Sequence, residues 1–503
     1  MTTSTIAPAG AEQTPAESQP LQHLIGGSWR SGEGRQLEDT NPARPTEIVA
    51  TGRLAQPADV HDAVAAARKA FPGWSTTPPA GRAEILTNAA TILARNAAMW
   101  GEELAREEGK TKAEGIGEVR RAADIFRFYA GESTRPVGEL YSSSRSGESI
   151  QVTHRPVGVM AVITPFNFPI AIPAWKIAPA LIYGNTVVWK PATTVPLLAV
   201  RLAEALVDAG LPDGVLSLLL ADGAEGGLLV EHDGIDAVTF TGSTSVGRHL
   251  IQRCGVLARP IQAEMGGKNA AAVLNDADID LAADEVLAGA FRSTGQKCTA
   301  TSRLIVSQTV ADKFLSALLD RTRQFRVGDP LDPNVQMGPL ISTDARNSIQ
   351  DAIAAGDARD GTELLAGGNP YSDPVRTQGA FLAPTVFEVH GDDPLWQQEL
   401  FGPVLTVKRA TDDQHALDLI NASPYGLSAA VFTDNLRAVD AAIEQVDVGI
   451  LHINSETAGA EPHVPFGGAK QSAFGPKEQG RAAREFFTTT RTVYLRASRE
   501  LGK

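Results

Sequence analysis

Between residues 157 and 253, short β-branched apolar runs alternate with helical stretches, a pattern that a parallel sheet covered on both faces satisfies. The run at 157–163 (Val-Gly-Val-Met-Ala-Val-Ile) has no polar face and is short, so it predicts a strand buried on both sides. Beyond it the pattern predicts helix 173–182, strand 186–189, helix 197–209, strand 215–220, helix 226–231, strand 237–240 and helix 248–253. A second alternating region begins near Asn269, with strand 271–274, helix 281–290, strand 303–306 and helix 311–323. Further α/β units run to about Asn454. Ahead of both regions lie a hairpin at 24–29 and a helical block from 57 to 126. The polar segments 149–154 and 490–495 alternate like exposed strands and are expected to pair, within one chain or between subunits. The fold class is α/β.

At 503 residues the chain has room for two to four structural units and deep clefts between them. Its 45 basic and 59 acidic residues give a charge of -14 with no basic stripe, which argues against nucleic-acid or anionic-membrane partners. Two cysteines, Cys254 and Cys298, make neither a disulfide framework nor a zinc site, so no metal is expected and a reducing compartment is. The first 21 residues read as a disordered tail, without the cationic start of a signal peptide. No apolar run reaches the roughly 18 residues of a membrane span. A cytoplasmic protein is expected.

Several residues stand where chemistry is possible. The segment 241–247 (Thr-Gly-Ser-Thr-Ser-Val-Gly) joins a strand to a helix, where free N–H groups attract a phosphate; a tight turn without ligand is the plainer reading. Lys190 ends a buried strand, the edge at which open α/β sheets bind ligands, and strengthens the nucleotide reading. Cys298 sits in a polar glycine-containing turn beside Lys297, surroundings that would favour a thiolate, whereas Cys254 ends a helix and is expected to pack. Glu264 precedes paired glycines, and Asn167 lies between two phenylalanines and two prolines, suited to stabilising an oxyanion. A surface glutamate and a turn asparagine are the plain alternatives.

Seven segments in order then carry a resemblance. They are Thr-Pro-Phe-Asn-Phe-Pro (164–169), Trp-Lys-Pro-Ala (189–192), Phe-Thr-Gly-Ser-Thr-Ser-Val-Gly (240–247) and Glu-Met-Gly-Gly-Lys (264–268). Gly-Gln-Lys-Cys (295–298), Glu-Leu-Phe-Gly-Pro (399–403) and Pro-Phe-Gly-Gly (465–468) follow. From about residue 24 to 495 the chain resembles the NAD(P)-dependent aldehyde dehydrogenase superfamily. The resemblance implies Cys298 as nucleophile, Asn167 as oxyanion amide and Glu264 as the general base that hydrolyses the thioester. It also implies that the acyl group goes to water, since branches that use coenzyme A typically lack this glutamate. For the cofactor it implies Thr164, Pro165, Phe166, Lys190, Gly242, Ser243 and Gly247, with Glu399 on the nicotinamide ribose and Phe401 beside the ring. Lys176 matches a proton-relay lysine whose glutamate partner is expected to be replaced by Thr489. Thr193 stands where NAD-specific relatives often carry a glutamate, so NADP is expected to be accepted as well as NAD, up to a preference for NADP.

The stretches 291–303 and 454–459 are similar to the branch that oxidises 2-oxoglutarate semialdehyde (2,5-dioxopentanoate). A charged substrate needs a cation, and Arg135 is the candidate. Phe166, Phe168 and Trp175 would equally line an apolar tunnel for a broad aliphatic or aromatic aldehyde dehydrogenase. A cysteine hydrolase is a further reading, but no histidine stands in a recognisable partner motif. A silent descendant of the fold has no reason to hold Cys298, Glu264 and Asn167 together. The implied architecture is a Rossmann-like cofactor domain (22–138 and 157–262), an α/β catalytic domain (263–470) and a small β oligomerisation flap (139–156 and 471–503). A two-stranded arm is unstable alone, so a homo-oligomer is expected, dimer or tetramer.

Overall fold

The computed structural model of the chain describes residues 18–496. Three helices come first: α1 (Pro57–Thr76), α2 (Pro79–Glu107) and α3 (Lys112–Ala130). A reciprocal cap starts α3: the Thr111 hydroxyl accepts from the Glu114 N–H, and the Glu114 carboxylate accepts from the Thr111 N–H at 3.1 Å. The alternating region then supplies β1 (Val159–Ile163), α4 (Ala171–Ile182), β2 (Thr186–Lys190), α5 (Pro196–Asp208) and β3 (Leu216–Leu218). It ends with α6 (Gly223–Glu231), β4 (Ala237–Thr241), α7 (Thr244–Val256) and β5 (Ile261–Glu264). Helix α7 begins four residues earlier than the apolar period suggests, because the Ser243 hydroxyl caps it by accepting from the Val246 N–H.

These five strands are parallel, in the spatial order β5-β4-β1-β2-β3. Antiparallel strands close both edges: Ala473–Phe474 beside β5, and the hairpin His23–Ile25 and Ser28–Arg30 beyond β3. Separate apolar cores cover the two faces, which is why β1 and β2 contain hardly any polar residue. A seven-stranded sheet, parallel except at one edge, is built from residues 269–453 and is likewise covered on both faces.

The third assembly is a three-stranded antiparallel flap of Gly138–Ser142, Glu148–Pro156 and Thr488–Arg496. Its C-terminal strand pairs within the same chain, Thr489 opposite Arg155. Two boundaries differ from the sequence expectation. Residues 471–487 do not belong to the flap, since Ala473–Phe474 hydrogen-bonds to β5. The expected tail ends earlier than residue 21: Gln19–Pro20 pairs with Ala50 and Thr51, and Leu21 is buried; residues 1–17 lie outside the described residues. Among the described residues no helix is long and apolar enough to cross a membrane, and no group of residues is arranged to hold a metal ion.

Candidate active site

The chain builds β1, β2 and β3 in one direction, then returns to lay β4 and β5 on the other side of β1. The carboxyl ends of β1 and β4 therefore diverge into a crevice, the place where open parallel sheets bind ligands. A cavity of about 520 Å³ fills it, walled by Thr164, Pro165, Phe166 and Asn167 after β1, Lys190 at the end of β2, Gly242 and Ser243 after β4, and Met265 and Gly266 after β5. Thr241 also lines it with a buried hydroxyl that has no hydrogen-bond partner. Gly247 and Thr193 do not reach this wall. A Cβ on Gly247 would fall 2.5 Å from the Met265 sulfur, so this glycine serves the close packing of α7 on the strand ends. Burial pushes the Lys190 ammonium down to about 8, against the carboxylates of Asp222 and Glu225.

Glu399 and Phe401 close the inner end of the crevice. The Glu399 carboxylate accepts from the Gly267 N–H at 3.0 Å and lies so close to Gly266 that a Cβ there would collide with it. Burial raises its pKa to about 6. Phe401 adopts φ of 53° and meets the Phe166 ring edge-on at 5.8 Å. A bulky residue holds such a backbone only where its surroundings over-determine it.

Cys298 follows three consecutive left-handed residues, Ser293, Thr294 and Gly295, with φ of 53°, 56° and 67°. The strained turn is tied down from several sides. Glu114 of α3 accepts from the Ser293 N–H at 2.8 Å, and the Asn269 amide donates to the Cys298 carbonyl at 2.7 Å. The thiol is partly exposed. Lys297 does not favour its thiolate, because that ammonium is turned to Glu456 at 3.4 Å. Burial, together with the carboxylates of Glu264, Glu399 and Glu478, pushes the Cys298 thiol up to about 12. In the enzyme without cofactor, alkylation of Cys298 by iodoacetamide should therefore rise about tenfold per pH unit between pH 7 and 9. A plateau near pH 8 would contradict this electrostatic picture.

Asn167 is buried, and among the described residues no hydrogen bond occupies its side-chain amide. Glu264, at the end of β5, accepts from the Gly468 N–H at 3.1 Å; burial and the nearby Glu478 carboxylate hold its pKa well above the ordinary value. Lys176 on α4 does not look toward Thr489, which lies in the flap. Its ammonium bonds to Glu478 and donates to the Thr239 hydroxyl at 2.9 Å, all three groups buried. Glu478 also accepts from the Trp175 indole at 2.8 Å. A carboxylate partner for Lys176 is thus present, eleven residues ahead of the position expected from the sequence. Its neighbours Lys477 and Gln479 make the segment read as solvated surface.

A second cavity, of about 360 Å³, approaches Cys298 from the other side. Phe168, Trp175 and Phe466 line it, with Trp175 and Phe466 tilted at 5.7 Å. Of the described residues, Cys298 alone lines both cavities. Arg135 lines neither. It pairs with Glu132 in a separate pocket under the flap, past the end of α3. Among the described residues three cations reach the tunnel wall, Lys110, Lys297 and Arg121. Arg121 is one of four α3 residues there: Glu114, Gly117, Glu118 and Arg121, the i, i+3, i+4, i+7 positions of one helix face. Its partner Glu461 is exposed and 3.5 Å away, whereas Lys110 on the same wall is held by Glu118 at 2.8 Å. The spacing of these four was visible in the sequence, but four polar or small residues on a helix read as its solvated side.

Comparison with known proteins bears directly on this geometry. The sequence pattern described as "Aldehyde dehydrogenase family" matches residues 29–493. An alpha-ketoglutaric semialdehyde dehydrogenase of Bacillus subtilis is 40% identical over 483 residues, 95% of this chain and 99% of that protein. A 2,5-dioxopentanoate dehydrogenase of Saccharolobus solfataricus is 40% identical over 471 residues, 93% of this chain and 97% of the relative. Among solved structures, betaine aldehyde dehydrogenase of Staphylococcus aureus in complex with NAD+ superposes with a TM-score of 0.92 at 30% identity, covering 96% of this chain and 95% of that one.

Proposed function

The chain belongs to the aldehyde dehydrogenase family and is an NAD(P)-dependent oxidoreductase that converts an aldehyde to its acid, and on that premise we propose which residues carry the reaction and which aldehyde they take. The observation that carries the reading is the position of Cys298, the one described residue common to a crevice at the sheet's switch point and an apolar tunnel. The crevice fits the dinucleotide: its glycines allow close approach, and the Ser243 cap, the unpartnered Thr241 hydroxyl, Lys190 and Glu399 offer polar partners. The bound dinucleotide supplies the acceptor for the aldehyde hydrogen and its electron pair.

The protein's own steps follow. Cys298 gives its proton to water in the crevice and its sulfur bonds to the aldehyde carbon, and the oxyanion is held by the Asn167 amide and the Cys298 N–H. Loss of the aldehyde hydrogen leaves a thioester. Glu264, its pKa raised by burial, takes a proton from water, which attacks the thioester carbon; the C–S bond breaks and the acid leaves. The Lys176–Glu478 pair lies beside Glu264 and passes that proton on.

The substrate we assign is 2-oxoglutarate semialdehyde, oxidised to 2-oxoglutarate. Both named relatives act on this chemical class by their names, and the tunnel carries Arg121 with only an exposed carboxylate to hold it. A charge-assisted bond to the distal carboxylate contributes about 1.5–3 kcal/mol. Arg121→Met should therefore raise KM for this aldehyde about tenfold to a hundredfold and leave pentanal unaffected. If the wild type oxidises pentanal better than the charged aldehyde, the broad-specificity reading takes over. If wild type prefers the acid but Arg121→Met loses both substrates alike, Arg121 leaves the site. Run with both nucleotides, the panel also tests acceptance of NADP, which Lys190 and the absence of a carboxylate at Thr193 support; strict rejection of NADP ends that part. The exposed flap residues Leu140 and Tyr494 support a homo-oligomer, and two free cysteines support a cytoplasmic protein.

A further inference from the structure

The oxyanion amide must be held to within about half an ångström to be useful in a transition state. The segment that bears it, 164–170, cannot hold itself. Pro165 and Pro169 remove two backbone donors, and Ile170, at the start of α4, provides no side-chain cap. The grip comes from elsewhere, from Lys110 in the turn between α2 and α3 and from Glu118 on α3. Glu118 accepts from the Ile170 and Ala171 N–H groups at 3.1 and 3.2 Å, capping α4 from outside. Lys110 donates to the Asn167 carbonyl, and its ammonium stands 3.7 Å over the Phe168 ring. Lys110 and Glu118 bond to each other at 2.8 Å, both buried. Glu108 completes the cluster: it accepts from the Lys110 N–H at 3.0 Å, and its other oxygen lies 3.9 Å from the ammonium without a hydrogen bond.

We propose that Lys110, locked by Glu118, is a positioning residue for the oxyanion hole, fixing the Asn167 backbone so that its free side-chain amide is aimed at the developing alkoxide. Four of the five residues from 167 to 171 are gripped by these two side chains, while the Asn167 amide itself is bonded to nothing in the described protein. The cluster is electrically closed. Burial would lower the Lys110 pKa, but the carboxylates of Glu108 and Glu118 outweigh it and hold the ammonium charged. The ammonium is therefore committed to the loop and does not serve the substrate carboxylate.

The inference rests on Asn167 being the oxyanion amide, and a double-mutant cycle separates the two claims. The pre-steady-state rate of nucleotide reduction is measured for wild type, Lys110→Met, Asn167→Ala and the double variant, with Cys298 alkylation as a second readout. Lys110→Met should slow the burst about tenfold to a hundredfold in wild type, as a displaced catalytic group does, yet less than twofold when Asn167 is already alanine. Alkylation of Cys298 should be unchanged. Equal losses in both backgrounds, no loss at all, or slower alkylation would overturn the proposal. Should Lys110→Met fail to fold, Glu118→Gln enters the same cycle with the same expectations. Asn167→Ala alone leaving the burst intact would instead remove the oxyanion assignment itself.

Discussion

Replacing Cys298 by serine should abolish aldehyde-dependent nucleotide reduction, by at least about a thousandfold in kcat, with no change in the thermal midpoint. The substitution is nearly isosteric and leaves the backbone ties to Asn269 and Glu114 intact, so the left-handed turn at 293–295 survives. What changes is the acidity of the nucleophile. Three carboxylates and burial already push the thiol to about 12, and a hydroxyl in the same place loses its proton far less readily. Titration with a dinucleotide should still show binding, because the crevice walls after β1, β2 and β4 are untouched. A serine variant that keeps turnover would show that the sulfur is not acylated.

The second large effect is expected at Glu264. Glu264→Gln should lower steady-state kcat by about a hundredfold to ten-thousandfold while leaving one equivalent of reduced nucleotide per active site formed rapidly. The glutamine still accepts from the Gly468 N–H, so the local structure is retained. It cannot take a proton from water, so the thioester accumulates and intact-mass spectrometry should find the acyl group on Cys298. Restoration of turnover by coenzyme A alone would keep Glu264 as base while showing that the thioester is open to another acceptor. Loss of the burst together with turnover would assign Glu264 to the first step instead.

The parallel sheet was legible in the sequence because β1, β2 and β4 are buried on both faces and leave few polar positions to confuse the period. The same rule hid the polar parts of the site. Glu478 sits in Lys-Glu-Gln, a sequence that looks solvated, yet Glu478 and Gln479 are buried, and no periodicity announces an ion pair across three hundred residues. Nothing in the sequence sets Arg121 apart from the other polar residues of its helix, whereas Arg135 stands beyond the helix end. Once α3 stops at Ala130, Arg121 lies about 13 Å back along the axis, on the tunnel face, while Arg135 has passed beyond it. The surroundings of the thiol are hidden for a similar reason, since adjacency to Lys297 in the chain says nothing of where that ammonium points.

One face of α3 touches the cysteine turn through Glu114, the amide loop through Glu118 and the tunnel wall through Arg121, with Gly117 leaving open space between them. Inserting or deleting a single residue in this helix would rotate everything after it by about 100° and disconnect them together. Exchanging side chains at 117 and 121 disturbs neither anchor. Diversification of what the enzyme accepts is thereby channelled into point changes at two sites, and shifts of register here are closed to it.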